Sequence, residues 1–92
     1  MSAARRLARA LEASAVAAGC AIRVTAARER PWSSATFVGT RHAVTLAGGP
    51  DAATWLAGLA GAALSVPGHV VAELLVHAVE GGAEIDALTL EA

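Results

Sequence analysis

Glycine and proline punctuation constrains this chain more than any other feature. Gly19, Pro31, the run Gly48-Gly49-Pro50, the pair Pro67-Gly68 and the pair Gly81-Gly82 interrupt segments that each carry a clear hydrophobic period. Glycine enters the left-handed region without a Cβ penalty, and proline lacks a backbone donor. Both therefore mark the ends of helices and strands rather than their interiors.

Residues 3–18 have helical spacing. Leu7, Leu11 and Ala15, with Ala4, Ala8 and Ala18, fall on one face, and Arg5, Arg6, Arg9 and Glu12 on the other, with Gly19 as the expected stop. Residues 20–28 alternate as a strand, with Ile22, Val24 and Ala26 on one side and Arg23 and Thr25 on the other. Glu29 to Ser33 is expected to be the connection, because Pro31 is excluded from a central strand. Residues 34–47 form a second strand-like run that places Thr36, Val38, Thr40, His42, Val44 and Leu46 on one parity, with Gly39 as the expected bulge.

Residues 51–65 are expected to form a second helix, whose apolar arc is Trp55, Leu56, Leu59, Ala60, Ala63 and Leu64. Its other arc is small rather than charged: Thr54, Gly58, Gly61, Ala62 and Ser65. Residues 69–91 fit either a helix or a hairpin. Four valines between positions 70 and 79 favour strands. A hairpin turning on Gly81-Gly82 pairs His77 with Asp86, Leu75 with Leu88 and Glu73 with Leu90. It also collects Val70, Ala72, Leu74, Val76, Ala78, Ile85 and Ala87 on one apolar face.

The expected fold is α+β: a two-layer αββαββ sandwich, with two helices on one face of a four-stranded, mostly antiparallel sheet. Residues 1–92 are read as a single domain, with αββ halves at 3–48 and 50–91. Charge divides along the same line. Residues 1–46 hold all seven arginines and two acids, and residues 47–92 hold six acids and no arginine or lysine. Such asymmetry steers a chain toward a charged partner or toward its own copy.

Composition narrows the chemistry. The lone Cys20 forms no internal disulfide, and no Cys/His group has zinc spacing, so neither usual supplement to a small core is expected. The abundance of alanine, with arginine and no lysine, reads as a bacterial-like high-GC composition. An arginine-rich start running into Cys20 imitates a secretion signal, but Arg9 and Glu12 interrupt the apolar stretch such a signal requires. Residues 52–72 lack Asp, Glu, Lys and Arg, yet Pro67-Gly68 breaks that run before it spans a bilayer. No membrane association is expected, and the location expected is cytoplasmic.

No catalytic, cofactor-binding or metal-binding residues are assigned. His69, Glu73 and His77 cannot share an ion on a strand, where eight residues span roughly 26 Å. Cys20 follows a helix C-terminus, which does not activate a thiol. Ser33 and Ser34 lack a nucleophile-elbow context. Gly48-Gly49-Pro50 lacks the lysine and spacing of a phosphate loop.

The function expected is therefore a non-enzymatic protein-interaction or self-assembly module, a homo-oligomer and specifically a dimer, or else one docked on a protein partner. Its interface candidates are Val71, Leu75, Leu88 and Leu90 on the hairpin, with Gly58 and Gly61 on the small helix arc. The alternative is a small nucleic-acid-binding protein using Arg5, Arg9, Arg23, Arg28, Arg30, Arg41 and Trp32. The helix–strands–helix order of residues 3–65 resembles the topology of double-stranded-RNA-binding domains, and that resemblance implies RNA binding. The family carries lysines at the start of its last helix, where Pro50-Asp51 stands here. An enzyme is the third class considered.

Overall fold

The computed structural model describes residues 2–62 and 64–92. The chain runs α1 (Ala3–Ala17), β1 (Ile22–Ser33), β2 (Val38–Gly48), α2 (Ala52–Leu59), β3 (His69–Val79) and β4 (Gly82–Glu91). The four strands form one sheet in the order β1-β2-β4-β3, antiparallel throughout. Both helices cover the same face, which gives the α+β two-layer sandwich that the periodicity predicts.

Local chemistry explains the element ends. Ser2 caps α1 by accepting from the Arg5 N–H, and Glu29 reaches from β1 to accept from the Ala4 N–H at 2.9 Å. Both contacts satisfy donors that a helix start leaves open. Gly19, at φ +84, ends α1. The second helix is shorter than the spacing suggests: it stops at Leu59, and Ala63 of the expected arc lies outside the described residues. The core joins Leu7, Leu11 and Ala15 of α1 and Ala52, Trp55 and Leu59 of α2 to Val44, Leu46, Ala83, Ile85 and Ala87 of the sheet. Trp55 Nε1 donates to Ser14 Oγ at 3.0 Å, tying the two helices together.

Three sequence expectations need correction. First, β1 continues through Pro31 to Ser33. Because β1 is an edge strand, Pro31 has no partner to deny on its outer side. Second, Gly39 stands in regular register between Trp32 and Leu90. The irregularities lie instead between Val24 and Ala26 and between Val71 and Glu73, early in each outer strand. Third, the second hairpin turns on Glu80-Gly81, one residue earlier than expected, so Val79 pairs with Gly82, His77 with Glu84 rather than Asp86, Leu75 with Asp86 and Glu73 with Leu88.

The shifted turn has two causes. Gly81 takes the left-handed conformation at φ +77. Gly82 is already in the ladder, where a Cβ would overlap the Leu46 carbonyl oxygen. The shift changes pairing by two residues, so it leaves every side chain on its face. The bulge does not. It brings Val71 to the helix side and turns Val70 out into solvent.

Candidate interaction face of the sheet

The face of the sheet away from the helices is laid out by register. Across β1, β2, β4 and β3, one row reads Arg30, Arg41, Leu88, Glu73, and the next reads Arg28, Ala43, Asp86, Leu75. Beyond these lie Ala26, Thr45, Glu84, His77 on one side and Trp32, Gly39, Leu90, Val70 on the other. The strand order therefore segregates charge. Arg23, Arg28, Arg30 and Arg41 stand on β1 and β2, while Glu73, Glu84 and Asp86 stand on β3 and β4. Arg28, Arg30, Arg41, Ala43, Leu75 and Asp86 line a shallow depression at their meeting.

Leu88 is buried here, at 4% exposure, without a helix above it. Its two lateral neighbours, Arg41 and Glu73, form an ion pair at 3.2 Å. That pair spans β4 at the position of Leu88, and the aliphatic stems of such side chains cover apolar surface while their heads stay wet. Leu88 is thus already covered within one chain. Leu90 is half-buried and Leu75 is 56% exposed. Val71 packs against the helix-side core rather than beside Leu75.

The remaining expected positions are dispersed. Gly58 is exposed on α2, and a Cβ there would meet nothing within 4 Å. Gly61 is exposed in the turn after the helix. Arg5 and Arg9 are exposed on α1, in the layer opposite Arg23, Arg28, Arg30, Arg41 and Trp32. The seven positions expected to form one nucleic-acid face are therefore split between two faces, and Glu73, Glu84 and Asp86 share the more basic one.

Exposed apolar surface concentrates on β3. Val70 is 55% exposed and Val79 45%, alongside Leu75. On the helix side, α2 and β3 leave a groove of about 740 Å³, whose lining includes Leu56, Leu74 and Val76 with Ala53 and Ala57, and which opens over the free edge of β3 at Val79. The other exposed large apolar residues, Val16, Phe37 and Val38, lie elsewhere: Val16 at the end of α1, the other two at the turn between β1 and β2. No residue reading anticipated Val70 at the surface or the groove, because both depend on the bulge and on where α2 stops.

The other polar feature is internal. His42 is 3% exposed, and its Nε2 lies 2.8 Å from Thr89 Oγ1, whose residue is fully buried. Its Nδ1 has no hydrogen-bond partner. The parity of His42 with Val44 and Leu46 was the sequence signal for this position. Burial holds the imidazole below its ordinary value of 6.5, with Glu29 opposing the shift and His69 adding to it.

The unfolded chain therefore binds a proton that the folded one resists. Stability is full above the ordinary value and falls as pH drops through it. The slope from this group is at most about 1.4 kcal/mol per pH unit. Urea unfolding at about pH 7.5 and about pH 5.5 is expected to show this loss in the parent, with a flatter response in His42→Leu/Thr89→Val, which removes both partners together.

No family model, curated protein or solved structure matches this chain.

Proposed function

We propose that this chain is a non-enzymatic protein-interaction module of the cytoplasm that assembles with itself. The observation that carries the reading is the concentration of uncovered apolar surface on both sides of β3: Val70, Leu75 and Val79 on one side, and the groove under α2 on the other. Exposed apolar residues set among charged ones are where proteins meet partners. Here Glu73 and His77 alternate with the apolar residues along β3, and Glu84 and Asp86 flank them on β4. No described helix is long and apolar enough to cross a membrane, so a bilayer-spanning helix does not account for that surface.

A closed twofold pair brings each surface against its own copy, so apolar surface left uncovered along β3 meets its like. The test is the mass of the purified protein by light scattering at tens of micromolar, read together with its 260/280 absorbance ratio. A mass of two chains with a protein-like ratio is the expected result. One chain per particle overturns the reading. Co-purifying nucleic acid whose affinity falls log-linearly with salt would transfer the function to the arginines of the sheet face.

A further inference from the structure

The two edges of this sheet are unlike each other. β1 carries Arg23, Arg28, Glu29, Arg30 and Pro31, the charges and proline with which edge strands resist further pairing. β3, the opposite edge, reads HVVAELLVHAV, with no lysine, arginine or proline. Among the described residues no strand lies on its outer side. A long apolar edge strand offers a row of unpaired backbone donors and acceptors to another strand.

We infer that a second copy of this chain adds antiparallel along the β3 edge, with Leu75 of each copy at the twofold axis, so that the two four-stranded sheets become one continuous sheet. The inference rests on the self-assembly reading above and names its geometry. The register follows from β3 itself. Antiparallel neighbours share a face, so a symmetric pairing has to be centred on a residue. Beyond the irregularity at Val71/Glu73 the strand alternates regularly, leaving Leu74, Leu75 and Val76 as centres that keep Glu73 within the ladder.

Centring on Leu74 sets Glu73 against Leu75, and centring on Val76 sets it against Val79. Centring on Leu75 sets Glu73 against His77 of the second copy, twice by symmetry. It also sets Leu74 against Val76 on the helix side and Leu75 against itself. Only this register matches the acid with His77, the one basic side chain of the regular stretch, which is exposed and has its Nε2 3.9 Å from Asp86 Oδ2 of its own chain. Glu73 is about half exposed while it pairs with Arg41, so its carboxylate is open to a second donor.

The helix layer is compatible with this arrangement. The wall that α2 and its C-cap present to the groove includes Ala53, Ala57 and Ala60, small residues that let the second copy's α2 approach across the seam. The grooves beside the two β3 strands then merge, and Leu56, Leu74 and Val76 of both copies gain apolar neighbours.

Cross-linking and charge placement test the geometry on the full chain. In a Cys20→Ala background, Leu75→Cys should oxidise to a covalent dimer, since directly opposed residues hold their Cβ atoms about 5 Å apart. Ala43→Cys, between Arg28 and Asp86 at the middle of the open face, should not. His77→Glu should weaken assembly about tenfold by opposing like charges at two sites, whereas His77→Lys should leave it intact or tighter. Circular dichroism and melting of each variant confirm that it is folded.

A dimeric parent whose Leu75→Cys variant stays uncrosslinked, or whose Ala43→Cys variant crosslinks equally well, overturns the edge pairing and leaves the self-assembly reading standing. A dimeric parent whose affinity is unmoved by His77→Glu overturns the register. A monomeric parent overturns the edge pairing and the self-assembly reading together.

Discussion

Leu59→Asp is expected to leave the chain unfolded at room temperature. Leu59 is 1% exposed and shares its helix face with Ala52 and Trp55, in the cluster that holds Val66 and the sheet residues Val44, Leu46 and Ile85. Truncation to alanine at such a site costs about 2–5 kcal/mol. An aspartate adds an unpaired charge in an apolar surround, and no described basic side chain belongs to that cluster. A domain of this size holds roughly 5–14 kcal/mol in total, so both effects together exceed or exhaust it. Far-ultraviolet circular dichroism reads the outcome directly. A cooperative melt near the parent temperature would show that α2 does not bury this face.

Gly82→Val is expected to cost about 3 kcal/mol or more, because the new side chain collides with backbone rather than with a movable side chain. A Cβ at Gly82 would overlap the Leu46 carbonyl oxygen, and Ala47 Cα lies at 3.0 Å from the same point. Those atoms belong to the central β2–β4 ladder, where Gly82 pairs with Ala47 and Gly48 N–H donates to the Gly81 carbonyl at 2.9 Å. Gly81→Ala, one position earlier, is expected to cost less, about 1–2 kcal/mol, since it meets only the left-handed backbone penalty and open space around the Cβ. Denaturant midpoints for the two variants test the order. A smaller loss at Gly82 than at Gly81 would mean that the strands separate freely at that corner.

The two glycines show why the hairpin was legible as an element and misplaced as a register. Gly81-Gly82 announces a turn, but the letters do not distinguish a glycine needed for its φ from one needed for close approach. The same limit explains the site. Leu75 was expected at the surface from alternation alone, and it stands there. Leu88 shares that parity yet is buried, because Arg41, distant in sequence from Glu73, arrives across β4 to pair with it. Val70 and Val71 exchanged faces at a bulge that no glycine marks.

Local periodicity and punctuation determined the element order, the core stripe of α1, the partition of charge between the halves, and the burial of Trp55 and Leu59. These follow from side-chain spacing within ten or so residues and need no knowledge of neighbours. Tertiary structure decided the rest: the strand order that puts β2 and β4 at the centre, the ion pair over Leu88, the early end of α2, and the exposure of β3 as an edge without lysine, arginine or proline. Each of these depends on which distant segments share a ladder, and backbone pairing is nearly indifferent to side-chain identity until burial on one face selects a register.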